Sequence, residues 1–251
     1  MTGLTVTIIT YNEEKNIGRC LDAIRGLTDE ILVVDSFSTD NTVGICESYG
    51  CQIIQRKFTG FSDQKQFAVD QAKNDWILIL DADEVVSDEL KKEIALILHQ
   101  DRIPFSGYEI CFALFYMGRI MHHSGVGNEH KVRIFNRKYG AFEFAVVHEK
   151  LKMTGPVGRV KGKIIHNSYA DLYHHVDKTN RYTSLAATIN YDQGKKYSKL
   201  WVFFKFPISF MIYYFIKGGI LDSYPGFMWS LLAAFSTTIK IAKTIEMKEK
   251  S

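Results

Sequence analysis

The chain has 251 residues, 24% of them charged and 46% hydrophobic, which excludes a wholly disordered polymer and allows one sizeable core with an appendage. A formal net charge of +3, with no basic stripe interleaved with aromatics, argues against nucleic acid as a partner. The cysteines Cys20, Cys46, Cys51 and Cys111 lack CxxC spacing, and several sit in apolar segments, as expected of a reducing, cytosolic compartment.

Leu4 to Thr10, rich in β-branched residues, predicts a first strand, and no basic and apolar leader precedes it, so a domain that is not exported is expected. Tyr11-Asn12-Glu13-Glu14 closes that strand. Asn12 is expected to cap a helix with the apolar stripe Ile17, Cys20, Leu21 and Ile24, stopped by Gly26. Ile31 to Val34 reads as a second buried strand ending in Asp35, and the polar turn Ser36 to Thr42 leads to a short helix that Gly50 ends. Cys51 to Arg56 is a third strand and Ser62 to Ala72 a helix. Trp76-Ile77-Leu78-Ile79-Leu80 then forms a fourth strand, apolar without interruption and so buried on both faces. Ser87, with Asp88 and Glu89 behind it, is a strong start for a helix over 89–99.

After Pro104 the texture changes. Segments 108–112, 131–136 and 163–166 read as strands separated by glycine turns, an antiparallel extension of the sheet. Ser168 or Asp171 is expected to cap a helix carrying Leu172, Val176, Leu185, Ala186 and Ile189. The tail, 200–216 and 226–234, is dense in aromatics. A spanning helix needs about 20 apolar residues, and Lys205, Pro207, Lys217 and Asp222 interrupt both runs. Trp201, Tyr213, Tyr214, Trp229 and the lysines suit helices lying in a headgroup region; the plainer alternative is a helical subdomain packed on the core or in a dimer. The fold class is therefore α/β: a mostly parallel, Rossmann-like sheet flanked by helices, an antiparallel extension and a C-terminal amphipathic helical segment. Residues 1–168 are expected to form the α/β domain and 169–251 the helical, membrane-associated segment.

Two carboxylates one residue apart, Asp81 and Asp83, emerge at the carboxyl end of the fourth strand, where open α/β sheets bind ligands. A divalent cation between them, Mg²⁺ or Mn²⁺, would offset the cost of two unpaired charges; the bland reading is a helix cap facing water. Thr10-Tyr11 and Asp35 end their strands at the same edge. Tyr11 can stack on a base and Asp35 can accept from a base N–H or a ribose hydroxyl, unless Asp35 is only a turn residue. Lys65 can reach the base or diphosphate, unless it is only solvated. The absence of GxxxxGK[ST] and GxGxxG argues against a P-loop or a dinucleotide fold.

The ordered set Thr10-Tyr11-Asn12-Glu13, Val33-Val34-Asp35 with Ser38, Asp40 and Thr42, and Leu80-Asp81-Ala82-Asp83 resembles the family-two inverting glycosyltransferases of the GT-A fold. The later run Arg133-Ile134-Phe135, Val147-His148-Glu149-Lys150-Leu151, Ile165-His166-Asn167-Ser168 and Asn180-Arg181-Tyr182 is similar to the subgroup of bacterial lipopolysaccharide-core glucosyltransferases. That resemblance implies a nucleotide-sugar donor, a UDP-sugar above all, bound by Thr10, Tyr11, Glu13, Asp35, Lys65, Asp81 and Ala82. It implies Glu149 as the base with His148 beside it, Arg133 on a phosphate or acceptor anion, and His166 completing the metal shell with Asp81 and Asp83. It further implies that 1–168 is the GT-A catalytic domain, with nucleotide-sugar binding in 1–100 and the acceptor side in 101–168, that the acceptor is lipid-linked or a glycolipid, and that the enzyme is peripheral on the inner face of the cytoplasmic membrane. Rival readings are a non-catalytic membrane-surface module of the same fold and a nucleotidyltransferase, against which the lack of a Gly-rich basic loop to hold a triphosphate argues.

Overall fold

The protein is described here by a computed structural model covering residues 2–28, 30–143 and 150–250. The chain divides into two compact units, Met1–Phe112 with Glu129–His166, and Ala113–Asn128 with Asn167–Ser251.

The first unit is built on one sheet. Strands β1 (Leu4–Thr10), β2 (Glu30–Asp35), β3 (Gln52–Gln55) and β4 (Trp76–Asp81) pair in parallel in the order β3-β2-β1-β4. The sheet continues through β8 (Glu129–Asn136), β6 (Gly107–Tyr116), β11 (Val157–His166) and β5 (Glu84–Val86), with antiparallel β4–β8, β8–β6 and β11–β5 pairings. The two-residue β7 (Arg119–Ile120) pairs with the far end of β6, and β9 (Gly140–Glu143) pairs with β10 (Lys150–Met153) as a separate hairpin.

The apolar run of β4 is explained by its two faces. Leu78 and Leu80 pack with Val6, Ile8, Leu21, Leu90 and Ile94 on one side. Ile77 and Ile79 pack with Val69, Ala72, Phe135 and Phe142 on the other. Side chains alternate across a strand, so a strand covered on both sides needs every residue apolar. Helices α1 (Ile17–Ile24) and α4 (Asp88–Leu98) supply the first cover, and α3 (Phe61–Gln71) contributes to the second. Helix α2 (Thr42–Ser48) follows the polar turn after β2.

The predicted cap at Ser87 is present: its Oγ accepts from Leu90 N (3.2 Å) and also from Lys163 N (3.0 Å). The cap expected at Asn12 is not. Helix α1 begins four residues later behind Asn16, and Asn12 adopts φ 54° in the strand-to-helix loop.

In the second unit, Asp171 caps α5 (Leu172–Asp192), its Oδ1 accepting from His174 N at 2.7 Å, whereas Ser168 accepts from Lys178 through its carbonyl oxygen. Helix α6 (Lys199–Met211) contains Pro207 and runs through a π turn (Ile212–Ile216) and a 3₁₀ turn (Gly219–Asp222) into α7 (Ser223–Glu249). Lys243 of α7 reaches Asn180 Oδ1 (2.7 Å), Ser184 Oγ (2.8 Å) and Thr183 Oγ1 (3.0 Å) on α5. Residues 113–128, read from sequence with the acceptor side, cluster with these helices. The buried carboxylate of Asp222 accepts from the backbone N–H groups of His122 (3.2 Å) and His123 (2.9 Å), and Ser124 N donates to Lys217 O at 2.7 Å.

Candidate active site

Pairing register brings three strand ends to one edge. Thr10 lies opposite Asp35, and Ile9 opposite Asp81. This is the carboxyl edge of the parallel strands, where such sheets open to ligands.

The two loops leaving β1 and β2 are tied to each other. Ser38 Oγ accepts from Asn12 N (2.9 Å), Asn12 Oδ1 from Thr39 N (2.8 Å), Thr42 Oγ1 from Glu13 N (2.8 Å) and Asp40 Oδ2 from Glu14 N (3.1 Å). Asp35, fully buried, accepts from Ser38 N (2.9 Å) and Ser38 Oγ (2.5 Å). The Ser38, Asp40 and Thr42 set, which sequence reads as turn formers, thus holds a second loop as well. Tyr11 is left 57% exposed at the mouth, where a ring can stack. Glu13 directs its carboxylate to Asn16 Nδ2 at 2.7 Å.

Asp81 sits among cations. Lys65, on α3, lies 2.9 Å from Asp81 Oδ1, and Arg133, on β8, lies 3.2 Å from Oδ2. The plainer alternative for Lys65, a solvated lysine, does not hold, because Lys65 is wholly buried. Arg133 also reaches Glu84 Oε1 at 2.7 Å, and Glu84 Oε2 accepts from Asp81 N at 2.9 Å. The Phe112 ring lies 5.1 Å from the Arg133 guanidinium carbon, within cation–π range. Burial works against ionising Asp81, yet Lys65 and then Arg133 hold its carboxyl well below the usual range. For Glu84 burial wins over Arg133 and pushes the carboxyl up to about 7. Glu84 was not singled out from the sequence; its position directly after Asp83 was the available signal.

Asp83 points elsewhere, with Oδ2 3.1 Å from His166 Nε2. Burial disfavours the imidazolium of His166, but the hydrogen bond and charge of Asp83 outweigh it and raise its pKa above the ordinary value. Ala82 is buried between the two acids. Among the described residues, no three His, Cys, Asp or Glu side chains gather as a metal cluster. Asp83 and His166 are partly exposed, 21% and 33%, and offer a hard oxygen and an imidazole nitrogen, donors that suit Mg²⁺ or Mn²⁺ shared with a substrate phosphate. Asp81, expected as a third ligand, has its carboxylate engaged by Lys65 and Arg133. Arg133, expected on a phosphate or acceptor anion, lies on the two acids. His148 and Glu149 fall outside the described residues.

A mixed α/β sheet with its acidic strand ends at one open edge, extended by antiparallel strands, is a fold of the GT-A type. A model of the family "Glycosyl transferase family 2" matches residues 5–143, and the chain belongs to that family. It is 31% identical over 263 residues to an uncharacterised glycosyltransferase of Rickettsia typhi, covering 100% of this chain and 89% of that protein. Its identity to the lipopolysaccharide core biosynthesis glycosyltransferase LpsC of Rhizobium meliloti is 28% over 246 residues, covering 92% and 90%. The crystal structure of S. aureus TarS 1–349 has a similar fold, with a TM-score of 0.51 at 16% identity, covering 100% of this chain and 92% of that one.

Proposed function

We propose that this glycosyltransferase moves a sugar, with inversion, from a nucleotide-diphosphate sugar to a lipid-linked acceptor of the lipopolysaccharide-core type. The observation that carries the reading is the cationic pair Lys65 and Arg133 clasping Asp81 beside the Asp83–His166 pair, at the edge where β1 ends just before Tyr11 and β2 ends in Asp35. In this reading Tyr11 covers the base and Asp35 accepts from a base N–H or the ribose. Lys65 and Arg133 keep Asp81 ionised and fixed, ready to accept from a donor hydroxyl. Asp83 and His166 hold Mg²⁺ or Mn²⁺, which when bound neutralises charge on the departing diphosphate.

The transfer itself needs one base. Glu149, with His148 beside it, takes the proton of the acceptor hydroxyl as its oxygen bonds to the anomeric carbon. The bond from that carbon to the phosphate oxygen breaks on the opposite face, and the nucleoside diphosphate leaves with the electron pair. Glu149→Gln is expected to bind UDP with Mn²⁺ as the wild type does and to lose transfer by about 10²–10⁴-fold. Unchanged turnover removes Glu149 from the mechanism.

The acceptor class draws on the similarity to LpsC and on the surface of the helical segment. Residues 199–216 have a mean hydropathy of 1.3 and 6% of them are buried, so this segment, one such among the described residues, is long and apolar enough to cross a membrane by length and composition alone. Phe203, Phe204, Met211, Phe215 and Ile216 are exposed beside Lys199, Lys205 and Lys217. Aromatic and aliphatic side chains flanked by lysines suit a helix lying in the headgroup layer of an anionic membrane, and Pro207 and the π turn interrupt a straight span. In this reading the enzyme works on the inner face of the cytoplasmic membrane, where nucleotide-sugars are found.

A further inference from the structure

The helical unit contains a cavity of about 420 Å³, within the range of roughly 300–1,000 Å³ usual for small-molecule sites. Its walls come from α5, the π turn and α7, with Tyr169 just ahead of α5, so it lies within one unit. Tyr169, His175, Tyr182, Tyr213 and Trp229 give it an aromatic lining, and Thr179, Ser236 and Thr237 give it hydroxyls.

Part of this lining is fixed in place. The Tyr116 hydroxyl bonds His175 Nδ1 at 2.8 Å, and the His175 ring lies 4.0 Å from Tyr169 and 5.3 Å from Trp229, centroid to centroid. Burial, with Lys178 and His174 adding to it, draws the His175 pKa down to about 4, so the ring is uncharged at neutral pH. Lys178 is then the one fully charged side chain among the described lining residues. Its ammonium sits 5.1 Å from the Tyr169 ring centroid, and its bond to Ser168 O is long, 3.5 Å. An ammonium carries three donors, so this geometry leaves capacity for an anion.

We propose that this cavity binds a pyranose ring bearing one anionic group, a phosphate or a carboxylate. The C–H face of a pyranose is weakly positive and stacks on the negative face of an aromatic ring, here Tyr169, Trp229 or Tyr182. Thr179, Ser236 and Thr237 exchange hydrogen bonds with ring hydroxyls, and Lys178 pairs with the anion. With no carboxylate among the described lining residues, an anionic sugar meets no repulsion there. The site is independent of the transferase reading, since all its described lining residues belong to the helical unit and none is among those that carry that reading.

Calorimetric titration of the full chain with glucose 6-phosphate, glucuronate, glucose and inorganic phosphate, all with EDTA present, tests this. At least one of the two anionic sugars is expected to bind tenfold or more tightly than both glucose and phosphate, and which one does so identifies the anion. Lys178→Met should erase that tenfold margin, and Ala233→Leu, which fills the cavity, should abolish binding. Protection of Lys178 from amine acylation by the bound sugar, read by mass spectrometry on the wild type, gives the same answer without a variant. No preference for either anionic sugar, binding untouched by both substitutions, or unprotected Lys178 overturns the proposal. EDTA keeps a metal-dependent donor site out of the readout, so failure here leaves the transferase reading standing.

Discussion

The ammonium of Lys65, with none of its surface exposed, lies 2.9 Å from one carboxylate oxygen of Asp81 and 3.1 Å from the other. Around them two cations, Lys65 and Arg133, meet two acids, Asp81 and Glu84. Removing Lys65 leaves one cation on both acids. Breaking a buried pair from one side costs about 3–5 kcal/mol, and the 26% exposure of the Asp81 side chain lowers that for Lys65→Met to about 2–4 kcal/mol. Urea unfolding of Lys65→Met, Asp81→Asn and the double variant should give a double cost below the sum by at least about 1 kcal/mol. Additive costs would show the two groups to be uncoupled.

Asp83, unlike its neighbours Asp81 and Glu84, pairs with His166 and not with Lys65 or Arg133. Asp83→Asn is expected to weaken Mn²⁺-dependent UDP binding about 10–100-fold and to leave binding in EDTA unchanged. Equal loss with and without the metal would assign Asp83 to the nucleotide itself.

His175 gives the helical unit a pH dependence of known sign. Its folded pKa, about 4, lies below the ordinary 6.5, so the unfolded chain binds the proton more readily. Stability from this group is complete above pH 6.5 and is lost as pH falls from there toward 4. The full loss is roughly 3 kcal/mol. His175→Gln should lack that decline, so the stability difference between wild type and variant should narrow across this window in urea titrations at pH 7, 5.5 and 4.5.

Gly162, on β11, faces the backbone of Leu90 so closely that an added Cβ would collide with Leu90 N and Cα. Backbone cannot yield as a flexible side chain does. Gly162→Ala is expected to destabilise by about 3 kcal/mol by prising α4 off the sheet. A thermal midpoint within about 1 °C of the wild type would show that α4 can shift.

Phe203 and Ile216 are 76% and 79% exposed. Replacing both by Ser should leave unfolding within about 0.5 kcal/mol and sharply reduce flotation with vesicles containing anionic lipid. Flotation equal to the wild type would turn attention to a protein partner for this surface.

The parallel half of the sheet was legible because burial on both faces forces an unbroken apolar run, as in 76–80, and the starts of α4 and α5 were legible because Ser87 and Asp171 cap through local hydrogen bonds. The edge carrying Asp35, Asp81 and Asp83 was legible for the same reason, since each acid follows such a run. What depended on distant partners was not. Asn12 looks like a helix cap until loop 36–42 supplies other partners for it, and Lys65 looks solvated until Asp81 lies beside it. Three-residue β5 is too short for periodicity to register, and Glu84 within it gains meaning only through Arg133. The grouping of 113–128 with the helices rests on contacts such as Asp222 to His122 and His123, for which sequence gives no pattern.

Asp222 also decides which shortened proteins are worth making. A chain cut ahead of α6 would strip the acceptors from the amides of His122, His123 and Ser124 together with the Trp229 ring packed on Tyr116. Such a stub would expose torn backbone and raw apolar surface far upstream of the cut, and would aggregate for reasons unrelated to membranes. The tail is a keystone for the 113–128 excursion, so its role at a lipid surface has to be probed by point changes on the outside of the helices.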